Sequence, residues 1–480
     1  MSKASDSIPF PGTGRAGGDR RNGPKRSKGR GWGGRGDNGR RGSSHNSACS
    51  SDGRRGGEDC ILVCADGSGA FGDEPGFVAA FRSGNTIRMP RAEELSPLPE
   101  DASLQFLPGR RPLAWPRGGV CRPDNLRVFE DALVLAAQLP SGWTRTLLPA
   151  WQADRNADIL PIFGYTAVFC RGGRLWCAAV RTENNPRWRP SAYALPELGE
   201  CIAEVKKDLP GNRLLEQLEI CACQYGCYNA QNIFYGRWEG ACPVSPQCNA
   251  GCIGCISKQP DKEAPPSPQI RLNFVPTAEE ICELGLYHIG RAERAIFTFG
   301  QGCEGEPLLQ APRIAEAIAA IRNKTDEGTL HMNSNGSRPE GAELLFKAGL
   351  NSIRVSMCSA VESTYNSYYR PRNYKFADVM RTIKSAREHG LWISINLLLM
   401  PGLTDQKRET EALAAMINEY GVNMVQLRNL NIDPDWLFAQ IGIPQEEGIG
   451  VPAMIALLKE KCPHLRIGCH NPSREEMDIK

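Results

Sequence analysis

The chain has 480 residues, of which 41% are hydrophobic and 23% are charged, and its formal net charge is +3. This length and composition are typical of a globular protein with two or three domains, so a short peptide or a one-module binder is excluded. The sequence contains no run of about 20 apolar residues, which excludes a transmembrane helix and predicts no membrane partner.

The first 57 residues differ in amino-acid composition from the rest of the chain. They contain 15 glycines and 13 lysines and arginines against four aspartates, so the remaining residues carry a net charge of −6. Because they hold almost no aliphatic side chains, we expect a disordered Gly/Arg-rich tail over 1–57. The basic run could bind RNA through phosphate contacts and stacking, while the commoner alternatives are a solvated tail or a targeting sequence.

Cysteine usage indicates the compartment. The chain has 19 cysteines but opens without the apolar core of a signal peptide, so a secreted disulfide scaffold is disfavoured. We therefore expect a reducing compartment, most simply the cytoplasm, with organelle targeting by the tail left open. In that setting, clustered cysteines hold metals or do redox chemistry.

The residues after the tail predict two small regions. Residues 58–209 contain short apolar runs broken by Gly and Pro, which predict a small β-rich N-terminal domain. Two of these runs flank Arg171-Gly-Gly-Arg174 and predict a β-hairpin. Residues 210–241 are expected to form a helical connector, with one helix over 212–235.

From residue 270 onwards, apolar strands alternate with amphipathic helices. Thr277 and Glu280 predict a capping-box helix start, and strands are expected near 295–299, 330–333, 352–357, 391–400 and 423–427. This alternation predicts an α/β fold with parallel strands, either a (β/α) barrel or an open sheet, and chemistry at the carboxyl ends of the strands. We assign residues 242–430 to this core and residues 431–480 to a C-terminal helix and strand extension.

The densest cysteine cluster lies just before this repeat, at Cys248, Cys252 and Cys255, with C-x3-C-x2-C spacing. Three thiolates on one loop can hold three irons of a cubane and leave the fourth iron without a protein ligand. Zinc is the alternative, since Cys242 could serve as a fourth ligand, and the spacing alone does not separate the two readings.

A glycine-rich turn, Gly305-Glu306-Pro307, follows the strand near 295–299 and would let the backbone approach a ligand. With the cysteine loop and the βα repeat, it resembles the radical S-adenosylmethionine (radical SAM) superfamily. The resemblance covers about residues 242–430. It implies a partial (β/α)6 barrel of the TIM type and two cofactors, a [4Fe–4S] cluster and S-adenosylmethionine.

The resemblance also implies roles for single residues. Cys248, Cys252 and Cys255 match the ligands of the cluster. The residues that match S-adenosylmethionine contacts of the family are Gly305, Glu306, Pro307, Ser356, Arg370, Pro401 and Gly402.

Two features depart from the family pattern. Gly302-Cys303-Glu304 precedes the Gly-Glu-Pro turn where the family usually has a single Gly. Gly254 stands where an aromatic residue commonly packs on adenine, so another group must hold the base. A second cysteine set, Cys221, Cys223 and Cys227 with Cys242, could bind a further cluster, but cysteine-rich helix faces are more often core.

We therefore expect an enzyme that reductively cleaves S-adenosylmethionine to a 5′-deoxyadenosyl radical, which abstracts hydrogen from an unknown substrate. Its partners would be that substrate and an electron donor such as ferredoxin or flavodoxin. Two alternatives remain open: a radical methyltransferase acting on RNA, and a non-enzymatic RNA-binding protein stabilised by zinc or an iron–sulfur cluster.

The tail should be dispensable for cofactor cleavage, because it precedes every motif and lacks core-forming residues. A chain beginning at Glu58 should fold and form 5′-deoxyadenosine at the rate of the full chain, measured by chromatography. Loss of RNA affinity alone, diminishing with added salt, would identify the tail as a nucleic-acid tether, whereas loss of folding would contradict the boundary at residue 58.

Overall fold

The structure is a computed structural model that describes residues 59–442, 444 and 446–477. The tail predicted over 1–57 lies outside the described residues. The described residues belong to one compact unit, which extends from Asp52 to Lys480.

The N-terminal region is β-rich, as predicted. Ten of its strands form one antiparallel sheet, and the other five form a two-stranded and a three-stranded arrangement. The strands are β1 (Ile61–Ala65), β2 (Phe71–Ala79), β3 (Phe81–Ser83), β4 (Thr86–Arg88), β5 (Ser96–Pro97), β6 (Ser103–Leu107), β7 (Arg110–Pro116), β8 (Arg127–Val128), β9 (Leu133–Gln138), β10 (Trp143–Arg145), β11 (Leu148–Pro149), β12 (Trp151–Ala153), β13 (Thr166–Arg171), β14 (Arg174–Cys177) and β15 (Ala179–Arg181).

The predicted hairpin is confirmed. Strand β13 pairs antiparallel with β14, and Arg171 lies opposite Arg174. Gly172 and Gly173 have φ values of 57° and 71°, the left-handed conformation that two-residue hairpin turns require. The two glycines therefore close the hairpin as the sequence indicates.

Three helices connect this region to the rest: α1 (Leu198–Asp208), α2 (Leu214–Cys223) and α3 (Tyr228–Tyr235). The single helix predicted over 212–235 is wrong, because the chain breaks between α2 and α3. Gly226 takes a φ of 60° at the break, which an α-helix cannot accommodate. The apolar residues on both sides of the break concealed it in the sequence.

The second half of the chain forms one parallel sheet of seven strands in sequential order. These strands are β16 (Glu239–Cys242), β17 (Ile296–Phe299), β18 (Thr329–Ser334), β19 (Ser352–Met357), β20 (Trp392–Leu399), β21 (Met424–Asn429) and β22 (Arg466–Gly468). The helices of this half are α4 (Ala278–Arg291), α5 (Ala311–Arg322), α6 (Pro339–Ala348), α7 (Glu362–Tyr369), α8 (Phe376–Glu388), α9 (Lys407–Tyr420), α10 (Pro434–Ile441) and α11 (Val451–Lys461).

The α/β class and the parallel sheet are confirmed, with two differences in secondary structure. Strand β16 lies inside the stretch 210–241 that was expected to be helical, and β22 lies in the predicted C-terminal extension. The sheet thus has seven strands where a six-stranded barrel was expected, and no backbone pairing joins β16 to β22 among the described residues. The division of the chain into domains stays a prediction.

The capping box at the start of α4 is confirmed. The Thr277 side chain accepts a hydrogen bond from the Glu280 amide, and the Glu280 carboxylate accepts one from the Thr277 amide. The two residues satisfy backbone amides that the first helical turn leaves without partners.

The two faces of the parallel sheet differ in character. On one face, side chains such as Ile353, Val355 and Ile395 pack against the helices in the main core. On the other face, register partners in adjacent strands are polar: Asn333 lies beside Arg354, and Ser356 beside Asn396. Barrel interiors are ordinarily filled with branched apolar side chains, so a polar interior face is adapted to a ligand.

The N-terminal region is joined to the parallel sheet by a buried ion pair. Arg110 in β7 donates to the Asp433 carboxylate at 2.7 Å, and both side chains are at most 4% exposed. Asp433 also accepts the Leu160 amide and caps the first turn of α10. Asp433 therefore stabilises the packing of the N-terminal region on the segment after β21.

None of the helices in the described ranges combines the length and apolar character that spanning a bilayer requires.

Replacing Arg110 with alanine should destabilise the fold strongly, because it leaves the Asp433 carboxylate buried without its cation. We expect a loss of about 3–5 kcal/mol in the free energy of unfolding, measured by urea denaturation. Arg381→Ala is the matched control: that arginine is 58% exposed in its ion pair with Glu340, so its loss should cost about 1 kcal/mol or less. Equal effects of the two changes would contradict this assignment.

Candidate active site

The cysteine loop begins six residues after β16 ends. Cys248, Cys252 and Cys255 are free thiols and partly exposed. Burial, together with the nearby Glu306 carboxylate, raises the pKa of Cys248 to about 11. Burial and the neighbouring Cys255 and Cys248 thiols raise the pKa of Cys252 well above its usual range. The three thiols are therefore close enough to influence one another's ionisation.

The donor set fits a cubane better than zinc. Among the described residues, no group of three or more His, Cys, Asp or Glu side chains is arranged to hold a single metal ion. Zinc needs its thiolates at about 2.3 Å from one point, whereas each thiolate of a cubane binds a different iron. The case for a cubane therefore depends on the donor set: three thiolates on one loop can bind three irons and leave the fourth iron open.

The third cysteine has a polar shell. The Arg271 guanidinium and the Lys258 amide each donate to the Cys255 sulfur at 3.4 Å. Arg271 also donates to the Ser257 hydroxyl at 3.1 Å. Hydrogen bonds to cysteine sulfur raise the reduction potential of a bound cluster, so Arg271 is placed to tune it.

The cysteine loop is docked on the carboxyl end of α7. The Gly251 amide donates to the Tyr369 carbonyl at 2.9 Å, and the Ile253 amide donates to the Tyr368 carbonyl at 3.2 Å. From the next turn, the Arg372 amide donates to the Asn249 carbonyl at 2.7 Å. The sequence carried no signal of this docking, which holds the loop backbone at three points.

The Gly305-Glu306-Pro307 turn follows β17 and packs on the chain that leads into the cysteine loop. The Gly305 amide donates to the Ser245 carbonyl at 2.6 Å, and the Glu306 amide donates to the Gln247 carbonyl at 2.7 Å. A Cβ on Gly305 would lie 1.9 Å from that Gln247 oxygen. Gly305 is therefore required for close contact between these two protein segments. The cofactor contacts of Gly305, Glu306 and Pro307 stay predictions.

Glu306 connects this turn to the turn after β18. Its buried carboxylate accepts hydrogen bonds from the Leu308 amide, the Ser334 hydroxyl and the Asn335 amide at 2.6–3.0 Å. Burial raises its pKa to about 7. The Asn335 side chain in turn donates to the Asn249 side chain, which lies between the first two cysteines, at 2.9 Å.

Glu304 has a related structural role. Its buried carboxylate accepts the Val244, Ser245 and Gln301 amides at 2.7–2.9 Å, and burial raises its pKa to about 8. These bonds fasten the segment between β16 and the cysteine loop to the turn after β17. The residues inserted before Gly305, relative to the family pattern, therefore support the loop.

Ser356 and Arg370 lie in different surroundings. Ser356 is near the end of β19, on the polar face of the sheet, and is partly exposed. Arg370 ends α7 with a φ of 47°, and its backbone carbonyl accepts the Gly251 amide at 3.3 Å. Its guanidinium donates to the Gln440 side chain at 2.7 Å. Arg370 thus lies beside the cysteine loop, and its cofactor role stays a prediction.

Pro401 and Gly402 are buried beneath the N-terminal region. The Gly84 amide donates to the Pro401 carbonyl at 2.9 Å, and the Gly402 amide donates to the Asp405 carboxylate at 2.6 Å. The backbone contacts of this turn are therefore with Gly84 and Asp405, and its predicted contact with adenine stays a prediction.

Tyr368 occupies the space beside Gly254. A Cβ on Gly254 would lie 2.8 Å from the Tyr368 hydroxyl, with Leu430 and Ile432 next nearest. A larger residue at 254 is thus excluded by a tyrosine that comes from α7. An aromatic side chain of α7 therefore lies beside Gly254.

The other cysteines form no comparable loop. Cys221 and Cys242 are buried, Cys223 is exposed and Cys227 is partly exposed. Cys221 shares a hydrogen bond with Cys303, which precedes Glu304 in the turn after β17. Within the described ranges these residues make no metal-ion site, and a second cluster stays unsupported.

One stretch of the chain matches the model of a known protein family. The model of the radical SAM superfamily matches residues 242–414, a range that contains the cysteine loop and the Gly-Glu-Pro turn. The match assigns residues 242–414 to the radical SAM superfamily. The cofactors of this family are a [4Fe–4S] cluster and S-adenosylmethionine, so the family and cofactor predictions are confirmed.

Curated relatives of this radical SAM chain are enzymes. GTP 3′,8-cyclase of Streptomyces coelicolor is 30% identical over 28% of this chain and 38% of its own length. A probable GTP 3′,8-cyclase of Aeropyrum pernix is 28% identical over 34% of this chain and 43% of its own. The chain thus spans about two fifths of the length of these relatives.

One solved structure aligns with about half of the chain. The [FeFe]-hydrogenase maturase HydG from Carboxydothermus hydrogenoformans is 17% identical and aligns over 56% of this chain and 65% of that chain. The TM-score is 0.33, which is too low to inform the fold or the function.

Gly305→Ala should lower cluster loading. The new methyl group would clash with the Gln247 carbonyl and push the segment before Cys248 out of place. We expect at least a threefold drop in iron per chain after anaerobic reconstitution, measured by iron analysis and visible absorption. Gly199→Ala is the matched control, because nothing lies within 4 Å of the added atom in α1. Full loading of Gly305→Ala would contradict the close contact.

Proposed function

We propose that this protein is a radical SAM enzyme that reductively cleaves S-adenosylmethionine and uses the resulting radical on a substrate bound at the polar face of the sheet. The observation that carries the proposal is the hydrogen-bonded joint between the three-cysteine loop and the Gly-Glu-Pro turn, through Glu306, Asn335 and Asn249. A merely structural metal site has no need for that second turn.

Cys248, Cys252 and Cys255 would hold the cluster. When bound, the cluster supplies the electron that breaks a carbon–sulfur bond of S-adenosylmethionine and yields the 5′-deoxyadenosyl radical. The protein contributes position and shielding to this chemistry. An electron donor such as ferredoxin or flavodoxin would be the protein partner.

Glu306 is suited to orienting the cofactor. Three donors fix its carboxylate, so the group cannot rotate to follow a ligand. A carboxylate offers about four acceptor positions, so one remains for an ammonium group. Because the donors come from two separate turns, Glu306 also keeps the ends of β17 and β18 together.

Aromatic residues of α7 shield the loop from water. Tyr365 and Tyr369 stack with ring centroids 4.5 Å apart, and Tyr368 meets Tyr369 edge to face at 5.1 Å. Burial, together with nearby cysteines that include Cys252, raises the pKa of all three phenols above the usual range, so the rings stay uncharged. A dry, neutral wall of this kind would protect a reactive radical from solvent.

The proposal is tested by anaerobic reconstitution with iron and sulfide, followed by a chemical reductant and S-adenosylmethionine. We expect a brown, oxygen-labile protein that forms 5′-deoxyadenosine, detected by chromatography. Cys252→Ser should abolish both colour and product, because one iron loses its ligand. Cys223→Ser should change neither, since this exposed thiol lies outside the loop.

Stoichiometric zinc without iron after this treatment would overturn the proposal. A loaded cluster that never cleaves S-adenosylmethionine would overturn it as well.

A further inference from the structure

The polar face of the parallel sheet contains two arginines that share one hydrogen-bond acceptor. Arg354 of β19 stands in register with Ser394 of β20, and Arg428 of β21 stands in register with Leu398 of β20. Register partners in parallel strands, and residues two apart in one strand, point to the same side of the sheet. Both side chains therefore project from the same face, offset by four residues along it, and meet at Gln426.

Within the described residues, neither Arg354 nor Arg428 is paired with a carboxylate; their acceptors are neutral. The Gln426 side-chain oxygen accepts from Arg354 at 2.6 Å and from Arg428 at 3.5 Å, so the two cations share one neutral acceptor. Arg428 has one further acceptor, the Cys469 carbonyl. The Nε of Arg354 is buried and has no partner. Each guanidinium has five N–H donors, so most of this donor capacity is unused.

The charges of the pair are not compensated by their surroundings. Burial and the like charge of Arg428 lower the pKa of Arg354 to about 10, which still leaves it protonated at neutral pH. The nearest acid, Glu239, already accepts the Thr298 hydroxyl and the Asn471 amide at 2.9 and 2.8 Å. Two neighbouring, partly buried cations that repel each other are stabilised by an anion placed between them.

The location connects the pair to the proposed reaction. Arg354 is the register partner of Asn333, whose side chain donates to the carbonyl of Gly300, the residue after β17, at 2.7 Å. In α/β folds, substrates lie at the carboxyl ends of the strands. A group held by the arginines would thus lie on the sheet face that Asn333 shares, next to the segment that leads from β17 into the Gly305-Glu306-Pro307 turn.

We infer that Arg354 and Arg428 form an oxyanion-binding subsite and that the substrate of this enzyme carries a phosphate or carboxylate group. The inference rests on the proposed function, which it extends to a class of substrate. The shared chemistry is a planar guanidinium pair facing a small oxyanion, to which each arginine can donate two hydrogen bonds.

The test is isothermal titration of the anaerobically reconstituted full-length protein with inorganic pyrophosphate and with malonate, each with and without saturating S-adenosylmethionine. The two probes separate a phosphate source from a carboxylate source. We expect one of them to bind and the cofactor not to compete with it. Arg354→Gln and Arg428→Gln should each weaken binding at least tenfold.

Two further variants make the result specific. Arg354→Lys keeps the positive charge without the planar fork, so its affinity should lie between those of the wild type and Arg354→Gln. Arg381→Gln removes an exposed arginine of α8 and should bind the probe as the wild type does. Circular dichroism of each variant separates a lost site from a lost fold.

Failure of both probes to bind would overturn the inference, as would unchanged affinity in folded Arg354→Gln and Arg428→Gln. Competition by S-adenosylmethionine would also overturn it, because the arginines would then serve the cofactor carboxylate. These outcomes are independent of the proposed function, which instead fails if the wild type makes no 5′-deoxyadenosine.

Discussion

One hydrogen-bonded joint determines whether the candidate site can exist. Glu306 accepts donors from the turns after β17 and β18, and Asn335 of the second turn donates to Asn249 inside the cysteine loop. The loop has no regular secondary structure of its own, so its conformation depends on these bonds and on its docking to α7. Because the joint is buried, losing one partner would leave other polar groups unsatisfied, and the two turns and the loop are therefore coupled.

The N-terminal region also forms hydrogen bonds with the parallel sheet, at the end of β21 and just after β22. Arg145 in β10 donates its amide to the Asn429 side chain at the end of β21. Glu183, which follows β15, accepts the Cys469 amide, and the carbonyl of Cys469 accepts from Arg428. The β-rich region thus supports the segment that positions one arginine of the inferred oxyanion subsite. These hydrogen bonds give the β-rich region a structural role next to the parallel sheet.

Buried ionisable groups are concentrated at the carboxyl ends of the parallel strands. Glu304 and Glu306 have raised pKa values there because burial disfavours their charged forms, and the pKa of Arg354 is lowered for the same reason. Glu304 is fully engaged in holding the chain before the cysteine loop. Arg354 and Arg428 lack a compensating charge, and this difference separates a structural group from a candidate binding group.

The sequence by itself determined the features that depend on local chemistry. The capping box at Thr277 and helix α6, with Pro339 at its start and Gly349 after its end, follow from rules that act over a few residues. The cysteine spacing, the Gly-Glu-Pro turn and the βα repeat together likewise indicated the family. Only the tertiary structure decided that Gly305 faces Gln247 and that Arg354 meets Arg428, because these neighbours lie 58 and 74 residues apart in the chain and meet only when the strands align. Spacing and periodicity report local geometry and hold no information about which strand ends become neighbours.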